Sequence, residues 1–262
     1  MARNETIHSF ASTLDRLAGK PAPATIVELI FNRAWLAVLL LCAGMTVAAH
    51  AQQYYVVDCT GANPNAIPTI NLAVQNAAPG SYIVITGPCN ENVVINNALN
   101  LNVGAYYGST VTINGSISVT GSNTIFLYGL NVTNPSGDAF SITSSHNVTL
   151  WTSTGNGNLG HGLTAQNLSD VAVWGPGSFD NNGSEGILVN GAAIVALSTW
   201  GGPIDISNNH GSGVWMSSGS LFSSLGNTTI ENNGNFPGAV PQQRDRKRRL
   251  QVEPLWSYLP SQ

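Results

Sequence analysis

From residue 92 to residue 216 the chain repeats a short segment in which apolar residues alternate with small polar ones. The segments NVVI, GSISV, GDAFSI, GHGLTA, SEGILV and GSGVWM align Val94, Ile117, Phe140, Leu163, Ile187 and Val214, at spacings of 23, 23, 23, 24 and 27 residues. A second apolar column follows in each unit: Val103, Leu127, Leu150, Val173 and Leu197. Alternation over a few positions is the period-2 signature of a strand with one buried face. Bends between the strands carry asparagines, Asn134, Asn156, Asn181, Asn208 and Asn232, each followed within a few residues by glycine. Asparagine tolerates the left-handed turn conformation, and its amide can bond the amides above and below. The unit therefore reads as strand, bend, strand, bend. Such a unit cannot bury its apolar face alone, so successive units must stack. The pattern predicts a parallel β-solenoid whose coils rise by about 4.8 Å.

Ahead of the repeats, Ile70, Ala73, Val74 and Ala77 fall at i, i+3, i+4 and i+7, one face of a helix that Pro79-Gly80 would stop. The stretch IPTINLAVQNAAPGSYIVITGPCNENVVI (67–95) resembles the start of proteins of the pectate lyase-like superfamily, in which an amphipathic helix closes the open end of the coil stack. Roughly residues 56–234 share the resemblance. It implies an all-β fold, a single-stranded right-handed parallel β-helix of about six to seven coils with an N-terminal capping helix. On this reading residues 52–91 form the cap and first strand, and residues 92–234 form the coils.

The flanks read differently. Arg33 precedes the apolar run AWLAVLLLCAGMTVAAHA, which ends in an A-x-A site at Ala49-His50-Ala51. Residues 1–51 thus have the form of a signal peptide with a long n-region, and the run falls short of the ~20 apolar residues of a membrane span. A secreted chain, whether extracellular, periplasmic or on the cell surface, is the expectation. Cys59 and Cys89 would remain after cleavage and are expected to pair, two buried free thiols being the alternative. The tail PQQRDRKRRLQVEPLWSYLPSQ (241–262) carries every basic residue of the mature chain and fits no coil. Residues 235–262 are expected to be a disordered basic tail or a truncated end.

Charge narrows the choice of partner. No Lys or Arg occurs between Gln52 and Gln243, against eight acids: Asp58, Glu91, Asp138, Asp170, Asp180, Glu185, Asp205 and Glu231. Nucleic acid is thereby excluded as a partner, because nothing neutralises its phosphates. An acidic polysaccharide would be repelled as well.

Two columns could carry chemistry. Asp138, His161 and Glu185 precede their strands at equivalent positions, in register with Asn92, Gly115 and Ser212. Two coil rises place the carboxylates about 10 Å apart, near the ~6.5–9.5 Å of an inverting glycosidase pair, and a histidine between them could act as acid or base. The bland alternative is a polar, solvent-facing turn column. Gly160-His161-Gly162 is also the tripeptide found in polygalacturonases. That family adds paired aspartates before it and an Arg-x-Lys segment after it, and both are missing here. Pectate and pectin lyases and pectin methylesterases rely on an arginine that the coils lack. The second column is aromatic: Tyr106, Tyr128, Trp151, Trp174 and Trp200, spaced 22, 23, 23 and 26. Its parity opposes the buried Leu127, Leu150 and Val173, so it offers rings to a sugar face or an aromatic stack that stabilises the solenoid. His146, His161 and His210 differ in register, and no acidic cluster supplies six oxygens, so neither a metal nor another cofactor is expected. The favoured reading is non-catalytic binding of a polysaccharide or cell-surface glycan. A hydrolase or lyase acting on a neutral glycan is the alternative, and a structural or adhesin-like surface module is the third.

Overall fold

The computed structural model describes residues 52–234. The signal peptide and the basic tail expected from the sequence lie outside the described residues. The described chain opens with β1 (Tyr54–Val57), helix α1 (Ile70–Asn76) and β2 (Tyr82–Ile85). Six coils follow, each of three strands. They are β3 (Val93–Asn96), β4 (Leu99–Ala105) and β5 (Val111–Asn114); β6 (Ile117–Thr120), β7 (Asn123–Tyr128) and β8 (Leu130–Thr133); β9 (Phe140–Thr143), β10 (His146–Trp151) and β11 (Thr154–Gly155); β12 (Leu163–Gln166), β13 (Asp170–Trp174) and β14 (Gly177–Ser178); β15 (Ile187–Asn190), β16 (Ile194–Ser198) and β17 (Ile204–Ser207); and β18 (Val214–Met216), β19 (Leu221–Leu225) and β20 (Thr228–Glu231).

All pairings are parallel and run from each coil to the next. The first sheet has the order β1-β2-β4-β7-β10-β13-β16-β19, the second β20-β17-β14-β11-β8-β5, and the third β18-β15-β12-β9-β6-β3. The molecule is a parallel β-solenoid of about seven turns. Three sheets per coil replace the two strand columns read from the sequence. The second sheet was hidden because β11 and β14 are two residues long and each contains a glycine, too short to show a period of 2.

The interior is a continuous column of apolar side chains, with Phe140 and Phe179 the largest that are fully buried. Ile117, Phe140, Leu163 and Ile187 pair in register as expected. The partner of Ile117 in β3, however, is Val93 and not Val94. Val93 is buried while Val94 is 45% exposed. Three consecutive apolar residues, Val93, Val94 and Ile95, hide the parity, and a slip of one residue exchanges the two faces.

Corners are held by stacked polar side chains. Where the third sheet turns into the first, the Ser145 hydroxyl accepts from the Ser122 N–H (3.1 Å) and the Ser169 hydroxyl accepts from the Ser145 N–H (3.2 Å). Each of these hydroxyls also donates to a carbonyl of its own coil. Where the second sheet turns into the third, the asparagine ladder runs through Asn134, Asn158, Asn182, Asn209 and Asn233. The sequence column Asn156, Asn181, Asn208 and Asn232 sits one or two residues earlier. Asn181, Asn208 and Asn232 take the left-handed turn, with φ of 57°, 58° and 56°, and their successors turn their amides into the stack. In each Asn-Asn pair the two properties of asparagine are divided between adjacent residues.

Helix α1 packs Ile70 and Ala73 into the core, with Val74 and Ala77 partly buried against it. The Thr69 hydroxyl accepts from Leu72 N–H. Glu91 accepts from the backbone N–H of Ile70 (2.7 Å) and Asn71 (3.2 Å), which completes the helix start. Cys59 and Cys89 form a disulfide. Among the described residues no helix is long and apolar enough to cross a membrane.

Candidate functional site

Asp138, His161 and Glu185 stand on successive coils just before β9, β12 and β15, and they touch. His161 Nδ1 lies 2.9 Å from Asp138 Oδ1, and His161 Nε2 lies 2.9 Å from Glu185 Oε2. Asp138 also accepts from the His161 backbone N–H at 2.8 Å and from the Thr164 hydroxyl at 2.7 Å. Because Val93 and not Val94 pairs with Ile117, the column begins at Glu91, already engaged by α1, rather than at Asn92, and Gly115 separates Glu91 from Asp138. Gly160 lets the carboxylate in, since a Cβ there would lie 2.2 Å from Asp138 Oδ1. A Cβ on Gly162 would lie 2.8 Å from the carbonyl oxygens of both Gly155 and Gly186. Both glycines of the tripeptide thus have packing reasons to be glycine.

Two carboxylates on one imidazole require a proton on each ring nitrogen. Hydrogen bonding to Asp138 raises the His161 pKa above its ordinary value against the opposing effect of burial, and Glu185 adds to the rise. Burial pushes the Asp138 carboxyl up, but its bonds from the side chain and backbone of His161 and from Thr164 outweigh this and hold it low. The imidazolium fills the space between the carboxylates, where an inverting glycosidase needs a sugar and a water. Ser184 Oγ lies 3.1 Å from His161 Nε2, so Ser184, His161 and Asp138 have the connectivity of a nucleophilic triad. The same hydroxyl donates to Glu185 Oε2 at 2.6 Å. With Glu185 on Nε2, that nitrogen is a donor and cannot take the serine proton.

Aromatic residues gather on the outer face of the first sheet. Tyr128, Trp151 and Trp174 are direct register partners on β7, β10 and β13. Tyr106 and Trp200 lie two residues beyond this column, whose positions on β4 and β16 are Gly104 and Ser198. The Tyr128 ring lies over Gly104, where a Cβ would be 2.7 Å from Tyr128 Cγ. Trp200 nevertheless reaches the group and meets Trp174 edge-on at 5.9 Å. Two further rings belong to it. Phe126 lies 5.8 Å from both Tyr128 and Trp151 and 6.4 Å from Trp174, and Tyr107 lies 6.1 Å from Trp151. Phe126 was legible, because it is two residues before Tyr128 and shares its face. Tyr107 was not, because it sits in a turn with no repeat partner.

The rings are tilted or edge-on to one another, so they form a rough aromatic floor and not a flat row. Phe126, Tyr128, Trp151 and Trp174 are half-buried, whereas Tyr107 is 80% and Trp200 71% exposed. Burial raises the Tyr128 pKa, and the nearby phenols of Tyr54 and Tyr82 raise it further, so the hydroxyl stays neutral and able to donate.

Among the described residues, Cys59, Cys89 and Glu91 bring together atoms of metal-ligand type. Both sulfurs are committed to the disulfide, and the Glu91 oxygens to the start of α1, so this group offers no thiolate and no free carboxylate.

No protein-family model and no curated protein matches the chain. Among solved structures, the crystal structure of alginate lyase from Paenibacillus sp. str. FPU-7 is similar at 15% identity and a TM-score of 0.43, over 69% of this chain and 75% of that one.

Proposed function

We propose that the protein is an exported, non-catalytic module that binds a neutral polysaccharide or cell-surface glycan on the outer face of its first sheet. One observation carries this reading: six rings from five coils converge there, with Tyr107 and Trp200 standing most exposed beside a half-buried floor. Rings of this kind supply contact area to sugar faces at low entropy cost. The absence of Lys and Arg between Gln52 and Gln243 favours a neutral glycan over an acidic one. The disulfide is in keeping with export.

Affinity electrophoresis in gels containing neutral polysaccharides tests the reading. Trp200→Ala, at an exposed position, and Trp151→Ala are each expected to weaken retardation about tenfold while the fold is retained. Retardation unchanged in both variants would overturn the assignment.

A glycan hydrolase or lyase is the second reading, supported by the mutual contacts of Asp138, His161, Glu185 and Ser184. It requires Glu185 to release Nε2, and it predicts product formation that His161→Ala abolishes.

A further inference from the structure

Beside the aromatic floor, at the corner where β4 leads into β5, lies a cleft of about 410 Å3, within the ~300–1,000 Å3 of ligand clefts. It is lined by two segments, residues 85–88 and Tyr106 with residues 109–112. The lining contains no Asp, Glu, Lys, Arg or His. It offers instead the hydroxyls of Thr110 and Thr112, the acceptor oxygens of Thr86 and Ser109, whose protons go to the Val57 and Tyr106 carbonyls, and the ring of Tyr106, which is 67% exposed. A polyhydroxylated, uncharged ligand suits such a lining, since hydroxyls can donate and accept while the ring covers an apolar sugar face.

Both lining segments are held in place. The Tyr106 carbonyl accepts from the backbone N–H of Ser109 (2.9 Å) and from its hydroxyl (2.5 Å), which closes a tight turn. Residues 85–88 lead into Cys89, which is tied to Cys59 by the disulfide and to β5 by bonds from Cys89 N–H to Thr112 O and from Asn114 N–H to Cys89 O. A cleft fixed in this way loses little entropy when it is filled. The turn also joins the two surfaces: Tyr106 faces the cleft, and its neighbour Tyr107 packs on Trp151.

We infer that this cleft is a subsite for the same neutral glycan, so that one chain lies across the aromatic floor and continues round the corner onto β5. The inference rests on the binding reading above and adds a second contact region with its own residues. A bound chain spanning both regions must be longer than one that covers the floor alone.

Calorimetric titration of the full chain with neutral β-linked oligosaccharides of increasing length tests this. Affinity is expected to rise with length and then to plateau. Tyr106→Ala should remove the gain at the longer lengths, about tenfold, and leave the shortest binding oligosaccharides unaffected. Trp200→Ala should weaken every length. Thr112→Val, which keeps shape and removes a hydroxyl, should behave like Tyr106→Ala to a smaller degree. Tyr106→Ala and Thr112→Val both matching the wild type at all lengths, with Trp200→Ala still weak, would overturn the cleft and leave the aromatic reading standing. Wild-type protein that binds none of the series would overturn both.

Discussion

Because each ring nitrogen of His161 faces a carboxylate, the residue contributes most when both carry a proton. Its pKa in the folded chain lies above the ordinary 6.5. The contribution is therefore fully present below about pH 6.5 and is lost as pH rises through the raised folded value. Asp138 has the opposite sign: its pKa lies below the ordinary 3.8, so its share is present above that value and fades as pH falls through the lowered one. The clamp across three coils is strongest at mildly acidic pH. His161→Asn should cost about 1–2 kcal/mol at pH 5, between the values for exposed and buried pairs. The difference should shrink toward pH 9, as read from urea unfolding. A difference independent of pH would show that the histidine acts through shape alone. The contacts among these three residues were foreseeable from their shared register. Ser184 was not, because its side chain matters only through the imidazole that the fold brings to it.

At the scale of elements, adjacent asparagines at one bend should respond in opposite ways. Asn182 is fully buried; its Oδ1 accepts from the N–H and Nδ2 of Asn158, and its own Nδ2 donates to Asn209. Asn182→Ala leaves several buried polar groups unpaired and should cost about 2–4 kcal/mol. Asn181 is exposed and holds φ at 57°, a conformation glycine adopts freely. Asn181→Gly should therefore fall within about 0.5 kcal/mol of the wild type. Equal costs for the two variants, measured by thermal unfolding, would refute the division of roles. The same bend shows what the sequence could and could not disclose. Asparagines at regular spacing announced a ladder, but composition does not say which residue of an Asn-Asn pair turns inward. Likewise the period-2 columns located the first and third sheets, whereas the run Val93-Val94-Ile95 left the register of β3 open by one residue, and strands as short as β11 left the second sheet invisible. Of the aromatic face, Tyr128, Trp151, Trp174 and Trp200 were found by spacing, although Trp200 lies two residues beyond the register column. Tyr107, the other exposed ring, sits in a turn that only the folded chain positions.

At the scale of the molecule, the solenoid separates its polar chemistry from its aromatic surface. The imidazolium clamp stands at the corner before the third sheet, and the rings cover the outer face of the first. Between Gln52 and Gln243 the chain has eight acids and no Lys or Arg, so a polyanion gains no ion pairs and meets a repulsive field. The measurement that tests the account most directly is one titration of the protein with neutral and acidic polysaccharides, reading tryptophan fluorescence and reducing-end release together. The account predicts a saturable fluorescence change with a neutral polysaccharide, none with an acidic one, and no product from either. Release of product that His161→Ala abolishes would contradict it and make the Asp138, His161 and Glu185 cluster an active site.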